Sequence, residues 1–576
     1  MNLSEQLVEF LFEAGVRQVY GITGDALNYF VKGIEKKEGM EWVAMRYEGN
    51  AAFAAGTQAH LKGLGICAGT VGPGALHLVN GLYSAKRERL PVIAVTGQIE
   101  RARRGRNYFQ DAELEKAFED VCAYQAIIRE PKEAHFLFKR AIHTAIAHKA
   151  ICRIELPRDL GDAHVPDVGA AIFSNSTILL PDEAYTRKAA EIINQHQNIT
   201  ILAGHGCKGA EEEVIALAKS IQAPIVHTLR SADIFHHHMD EVVGLTGLIG
   251  VPSAYKAIMD CGLLIMLGTD FPYDDYLPAD KPVMQIDLKL ENLGNRVPLL
   301  HGIQGDVKHT LLLTLPFIEH KNETGFLKKY RSKFIQWKAE ASEAFNAENE
   351  LLPMHPQIIT QALDKTAVRN AFFTLDTSTA VIWAVRHMSF HDERQIFGSF
   401  NHGSMSVGLA AAIGAQFSSP GRQVWALCGD GGFSMGMQDF ITAVRYKLPI
   451  KVIVFNNASL QLINLEMENE GDLPNLEAAR LTNPDFAAYA KLCGGDGVQI
   501  SKPSEVLPAL EKASNSNVPF VIDAKVNGLE IPMPPHLSLK EVVKLTETKL
   551  KQIAAGATGD KKQLNYLIAQ LKAMIK

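Results

Sequence analysis

Asp430 stands in Cys428-Gly429-Asp430-Gly431-Gly432, and 27 residues further on Asn457 closes Phe455-Asn456-Asn457. Both side chains offer hard oxygen ligands of the kind Mg²⁺ takes. That cation keeps few protein ligands and fills its octahedron with phosphate oxygens and water. The glycines would let backbone amides approach a diphosphate closely. Around these residues, 422–428 (RQVWALC) reads as a buried strand, 433–447 as a helix and 451–455 (KVIVF) as a second strand. In such a unit both polar clusters fall at carboxyl ends of parallel strands, where open α/β sheets bind ligands. Gly-Asp-Gly alone is usually a turn; the joint pattern points to a magnesium–diphosphate anchor.

The chain that must position this anchor has 576 residues, enough for about three or four domains. Its 47% hydrophobic and 21% charged residues are ordinary for a globular protein. A net charge of −6 argues against nucleic-acid binding. Seven scattered cysteines without CxxC spacing imply reduced thiols in a cytoplasmic setting and no zinc site. The N-terminal stretch MNLSEQLVEFLFEAGV reads as an amphipathic helix without a basic leader or cleavage site, so export is not expected. No apolar run reaches the ~20 residues that span a bilayer.

Apolar strand patterns alternate with helical ones in three blocks, 1–165, 186–320 and 355–530. A weakly patterned linker, about 163–185, and a charged helical stretch, about 323–350, separate them. This alternation predicts an α/β protein of three doubly wound parallel-sheet domains. A C-terminal segment, 531–576, differs in composition.

The strand–Gly-Asp-Gly-Gly–helix–strand–Asn-Asn pattern resembles the signature of thiamine-diphosphate (ThDP) enzymes. Three α/β blocks with the anchor in the third resemble the pyruvate oxidase–acetohydroxyacid synthase branch, over about residues 1–530. Its domains run pyrimidine-binding, FAD-binding middle, then diphosphate-binding. The resemblance implies Asp430, Asn457 and the Ser459 carbonyl as magnesium ligands. It places Gly431, Gly432, Ala458, Leu460, Gln461, Leu462 and Ile463 along the cofactor site. Gly403-Ser404-Met405 matches the segment over the aminopyrimidine, with Met405 as the apolar wedge that bends ThDP.

Glu48, in Arg46-Tyr47-Glu48-Gly49-Asn50-Ala51-Ala52, matches the family's glutamate beside N1′ of the aminopyrimidine. Alone, it would read as a dipole partner at a helix N-terminus. The loop Gly69-Thr70-Val71-Gly72-Pro73-Gly74-Ala75-Leu76-His77 resembles the segment bordering the active site, with His77 a candidate catalytic or substrate contact. Phe109-Gln110-Asp111 resembles the family's Phe-Gln-Glu, which approaches the reacting carbon; the aspartate is a departure with no role assigned. The arginines before it, 101, 103, 104 and 106, read as a solvated or interface run. Two chains face each other in this family, so the resemblance implies a homo-oligomer, most often a tetramer.

In the middle block, Gly244 to Gly250, containing Thr246, Gly247, Leu248 and Ile249, reads as a phosphate-facing stretch between a loop and a helix. Gly268-Thr269-Asp270-Phe271-Pro272 follows a strand, and Asp287 ends the next strand where an acid can hold a ribose hydroxyl. Their order and spacing resemble the FAD-binding domain of pyruvate oxidases. His236-His237-His238 reads as a solvated loop rather than a metal site. From 536 to 576 eight lysines and three acids accompany an apolar stripe of Leu564, Leu567, Ile568, Leu571, Met574 and Ile575. Such a helix can lie on an anionic membrane or dock on protein.

The continuation HLVNGLYSAKRERLPVIAVTGQ resembles oxidases more than synthases, although the aromatic residue such oxidases carry near Leu462 is absent. The resemblance therefore implies oxidative decarboxylation of pyruvate to acetate and CO₂ by an enzyme using ThDP, Mg²⁺ and FAD. Electrons would pass to ubiquinone or menaquinone at the cytoplasmic face of the membrane, reached through the C-terminal helix. An acetolactate-forming carboligase and an oxidase making acetyl phosphate and H₂O₂ are the alternatives.

Overall fold

A computed structural model describes residues 1–169, 172, 178–322, 325–344, 352–391, 393–470 and 476–528. The predicted C-terminal helix lies outside them, as does part of the predicted linker. Three six-stranded sheets account for the architecture, and every strand pairing in them is parallel. The strands that read as continuous apolar runs are the interior ones, such as Leu263–Leu267 and Val424–Gly429, buried at every position. Helices on both faces of a parallel sheet leave no polar side for alternation.

The first sheet runs Glu41–Ala44, Gln18–Gly21, Gly65–Gly69, Val92–Gln98, Ile151–Pro157, Tyr124–Ile127. The third runs Gln395–Gly398, Phe372–Leu375, Val424–Gly429, Lys451–Asn456, Phe520–Lys525, Asp496–Ile500. Counted within each domain, both follow the order 2-1-3-4-6-5. The middle sheet is different: His301–Gln304, Val283–Asp287, Leu263–Leu267, Ile199–Ala203, Ile225–His227, Val242–Leu245. Its order, 3-2-1-4-5-6 read from the other edge, is that of dinucleotide-binding folds, with the switch point between Ile199–Ala203 and Leu263–Leu267. The architecture is the three-domain α/β fold expected from the sequence.

Three local readings change. The helix expected over 433–447 starts at Asp430 and is broken, running Asp430–Gly436, a 3₁₀ turn Met437–Asp439, then Phe440–Arg445. Gly244 lies in the edge strand Val242–Leu245 rather than in a loop. His237 is buried, with Nδ1 facing Lys338 Nζ at 2.9 Å, so the histidine triplet is not a solvated loop.

The domains are locked together at two places. The helices Glu48–Lys62 and Val407–Ser418 pack through small residues, and a Cβ on Gly414 would sit 2.3 Å from the Ala54 carbonyl oxygen. Glu88, in the turn before Val92–Gln98, is buried at the meeting point of all three domains. Its Oε2 lies 2.6 Å from Arg230 Nε of the middle domain, and its Oε1 accepts the Asn401 amide of the third at 2.7 Å. Arg230 Nη2 also donates to the Glu88 carbonyl at 2.8 Å.

Asp376 follows the strand Phe372–Leu375 and is fully enclosed. Its Oδ1 accepts from the amides of Thr377 (2.9 Å) and Val407 (3.3 Å), while Oδ2 has no hydrogen-bond partner among the described residues. Burial pushes its carboxyl up to about 7, against backbone hydrogen bonds that pull it down. The folded chain thus keeps a proton that the unfolded chain releases near pH ~4, so this residue costs stability as pH rises from about 4 to about 7.

Two outcomes are expected. Gly414→Ala should lower the melting temperature, at a cost of about 1–3 kcal/mol. Gly421→Ala should not, because nothing lies within 4 Å of its Cβ position. Equal melting temperatures would contradict the close helix contact. Asp376→Asn should flatten the fall in stability of the cofactor-free protein across about pH 4–7, measured by thermal melts in a buffer series. An unchanged slope would contradict the assignment.

Candidate active site

A cavity of about 1510 Å³ opens between the three domains. Carboxyl ends of two sheets face it. From the third sheet come Asp376 to Thr379, beyond the first strand of that domain, and Gly429 to Gly432, beyond its third. These two strands are neighbours at the point where the strand order reverses. From the middle sheet come His205 and Gly206 on one side of the switch point and Gly268 to Pro272 on the other. Both sheets therefore present their ligand-binding edges to one space.

Asp430 is the first residue of its helix and only 2% exposed. Its Oδ1 accepts from the Gly431 amide at 2.9 Å, and its Oδ2 from Asn483 Nδ2 at 2.8 Å. Burial raises its carboxyl above the ordinary aspartate range, opposed by the bond from Asn483. Of the two asparagines after the next strand, Asn456 is committed to the protein. It donates to Asp523 Oδ1 at 2.9 Å and accepts from Asn483 at 3.1 Å. Asn457 faces the cavity, with Oδ1 accepting only the Ser459 amide at 3.1 Å. Ser459 lines the cavity too, its Oγ held by Asn464 Nδ2 at 2.9 Å. Two carboxamide or carboxylate oxygens and a nearby backbone turn form a donor set suited to a hard cation.

The glycines beside Asp430 leave room that side chains would fill. A Cβ on Gly432 would fall 2.1 Å from Asp376 Oδ2, and one on Gly431 would meet Leu460 at 2.7 Å and Met405 at 3.1 Å. Met405 and Leu460 thus converge over the anchor. Ser406, just after Met405, is left-handed at φ 75°. A non-glycine residue in that region is strained and needs surrounding support. Its Oγ contacts Asn50 Oδ1 at 3.2 Å, and Asn50 Nδ2 donates to the buried Asp439 at 2.6 Å, so the first domain supplies that support.

Of the predicted cofactor residues, Gly403, Met405, Asp430, Gly431, Gly432, Asn457, Ser459, Leu460, Gln461, Leu462 and Ile463 line the cavity. So do Thr246, Leu248, Ile249, Gly268, Thr269, Asp270, Phe271, Pro272 and Asp287. Three do not. Ser404 turns away to accept from Asn80 Nδ2 at 3.0 Å. Ala458, at φ 56°, points its carbonyl at the Leu481 amide, 2.8 Å away. Gly247 supplies the turn instead, at φ 100°. Asp287 Oδ1 is occupied by the Lys289 amide and Asn292 Nδ2, at 2.9 and 2.8 Å. Asp270 lies 3.3 Å from Arg296 Nε and 3.7 Å from Arg89 Nη2. Thr246 Oγ1 is buried without a hydrogen-bond partner among the described residues.

The four predicted catalytic residues form a second group, outside the cavity wall. Glu48 opens the helix Glu48–Lys62, and its Oε2 lies 3.0 Å from His77 Nδ1. The pair is asymmetric: the Glu48 side chain is 8% exposed and that of His77 49%. Oε1 of Glu48 lies 3.0 Å from where a Cβ on Gly74 would stand, so the glycine-rich loop closes over the carboxylate. Gln110 packs its backbone against Gly72 of the same loop, and Phe109 beside it is 77% exposed. Glu48, His77, Phe109 and Gln110 therefore share one surface of the first domain, and within one chain that surface does not face the anchor cavity.

Sequence reading missed Asp376 to Thr379, Asn483 and the Asn50–Asp439–Ser406 link. A polar Asp-Thr-Ser-Thr run at the end of an apolar strand is a usable signal for the first. Asn483 carries none, being 53 residues from the aspartate it holds. The arginine run is only partly solvated: Arg104 reaches Glu155, which is wholly buried.

Comparison with known proteins follows the same three-part division. The N-terminal ThDP-binding, central and C-terminal ThDP-binding domain models of thiamine pyrophosphate enzymes match residues 1–117, 186–313 and 376–524. YdaP of Bacillus subtilis, provisionally named as a thiamine pyrophosphate-containing protein, is 35% identical over 95% of both chains. A pyruvate oxidase of Lactiplantibacillus plantarum is 27% identical over 92% of this chain and 89% of its own. An acetolactate synthase large subunit of Corynebacterium glutamicum is 26% identical over 91% and 86%. With the domain models in register on all three sheets, the chain belongs to the thiamine pyrophosphate enzyme family.

Proposed function

We infer that this protein is a ThDP-, Mg²⁺- and FAD-dependent pyruvate oxidase that passes its electrons to a quinone. The observation that carries this reading is a large cavity onto which both an anchor edge and a dinucleotide-fold edge open. Single-ligand pockets are about 300–1,000 Å³, so about 1510 Å³ has room for two cofactors side by side. The unpartnered Thr246 hydroxyl and the glycine turns at 247 and 268 suit the flavin nucleotide's polar groups. Similarity to a pyruvate oxidase supports the same substrate, and similarity to an acetolactate synthase keeps carboligation as the competing reading.

Bound ThDP supplies the electron sink for decarboxylation, and bound FAD accepts two electrons, the hard chemistry belonging to the cofactors. The chain's residues do the rest. Asp430, Asn457 and the Ser459 carbonyl would hold Mg²⁺, which would help bind a diphosphate. Met405 and Leu460, which converge over Gly431, would pack against the bound cofactor. Glu48, enclosed by the Gly74 loop, holds or releases a proton at the aminopyrimidine, and His77 keeps that carboxylate oriented. Glu48 lies away from the anchor of its own chain, so a second copy must bring its Glu48 to this cavity. The net reaction is balanced as pyruvate plus water plus FAD giving acetate, CO₂ and FADH₂. The membrane route to the quinone rests on the C-terminal segment, outside the described residues. Among the described residues no helix is long and apolar enough to cross a membrane.

Two measurements test this reading. Anaerobic mixing with ThDP, Mg²⁺ and pyruvate should bleach bound flavin near ~450 nm, and a quinone analogue should restore the colour. Flavin that stays oxidised while pyruvate is consumed would overturn the oxidase in favour of carboligation. Glu48→Gln should lower kcat by about 10²-fold or more while ThDP still binds. Near-normal turnover would contradict the proton role.

A further inference from the structure

Fifteen residues, 99–113, connect the strand Val92–Gln98 to the short helix Leu114–Ala117, with only the 3₁₀ turn Arg101–Arg103 between. Loops of this length without structure of their own are uncommon and usually functional. Phe109 and Gln110 lie near its far end. The loop is strained: Asn107 and Gln110 are left-handed at φ 53° and 62°, though neither is glycine. Such residues persist only where their surroundings over-determine them.

Most of the loop's polar ties are at the surface. Arg101 pairs with Asp159 at 2.8 Å and Arg103 with Glu100 at 2.8 Å, all four being partly exposed. Such exposed pairs contribute little. Asp111 Oδ2 accepts the Gly105 amide at 2.8 Å, which closes the loop on itself. This contact gives a structural role to the aspartate that stands where the family motif has glutamate.

Arg104 is different. Its Nη1 donates at 2.9 Å to Oε1 of Glu155, a side chain with no exposed surface. The other oxygen of Glu155 takes Arg153 Nη1 at 2.9 Å, and Arg153 is equally buried. Arg153 is fixed in turn by Thr96 Oγ1 at 3.0 Å and Gln125 Oε1 at 2.7 Å. Thr96 and Glu155 are on adjacent strands of the first sheet, in register. Arg104 therefore ties the strained loop to a rigid charged network inside the sheet, and a charge-assisted bond to a buried acceptor is the strong kind.

We propose that Arg104 is a positioning residue, which through Glu155 seats Phe109 and Gln110 at the reacting centre. This rests on the reading above that Phe109 and Gln110 meet the substrate. Because Glu155 retains Arg153, loss of Arg104 should loosen the loop without unfolding the domain.

The test uses the full-length holoenzyme with Arg104→Ala, Arg104→Lys, Gln110→Ala and the Arg104→Ala/Gln110→Ala double variant. Arg106→Ala, at an exposed arginine of the same loop, serves as a charge control. Amides of 99–113 should exchange faster with solvent deuterium in Arg104→Ala than in wild type, with the remaining peptides unchanged. The kcat/KM for pyruvate should fall roughly tenfold to a hundredfold, as misplacement of reacting groups costs. Arg104→Lys should recover part of it, Arg106→Ala should match wild type, and the double variant should lose less than the product of the two single losses. Unchanged exchange in 99–113, or single losses that multiply in the double variant, would overturn the proposal. Wild-type protein that turns over no pyruvate would refute the functional reading instead, and the exchange result would still decide whether Arg104 holds the loop.

Discussion

A buried carboxylate ties the three sheets together beside the cavity. Glu88 comes from the first domain, yet its oxygens are taken by Arg230 of the middle domain and the Asn401 amide of the third. Burial raises its carboxyl, and the Arg230 guanidinium opposes that shift. A buried pair of this kind is weak evidence of net stability, but breaking it strands a charge in a low-dielectric space. Its value here is geometric. In the arrangement that satisfies Glu88, the carboxyl ends of the middle and third sheets open onto one cavity.

The repeated strand order of the first and third sheets fits the division of labour between them. Each offers a helix N-terminus after a strand, Glu48 on one and Asp430 on the other. One places a carboxylate under a glycine-rich loop, and the other places a carboxylate beside a glycine pair. Helices Glu48–Lys62 and Val407–Ser418 pack the domains so closely that Gly414 admits no Cβ. That packing directs the Glu48 surface outward, with Phe109 and His77 exposed beside it. Within one chain the Glu48 group and the cavity that holds Asp430 do not meet.

Much of this was legible in the sequence, for a physical reason. Parallel strands buried on both faces must be continuous apolar runs, and ligand-binding loops must follow them, so strand ends and Gly-Asp-Gly could be located together. The sequence reading took Asn457 as the ligand from its place at the strand end; in the structure Asp523 and Asn483 occupy Asn456, and Asn457 faces the cavity. Contacts between distant segments were invisible: Glu88 and Arg230 are 142 residues apart. His237 and Arg104 read as solvated because polar side chains in polar stretches usually are. Here Lys338 and Glu155 supply buried partners that local composition does not announce. The helix break at Met437–Asp439 was missed because Asp439 serves Arg46 and Asn50 of another domain.

The central claim is that two copies of this chain complete each site, and subunit hybrids test it most directly. Glu48→Gln and Asp430→Ala variants, each inactive alone, would be dissociated, mixed and reassembled. The account predicts recovery of up to about a quarter of wild-type activity. Random pairing makes half the dimers hybrid, and each hybrid holds one intact site of two. No recovery from a mixture shown to contain hybrids would mean that Glu48 and Asp430 act within one chain, and would contradict the account.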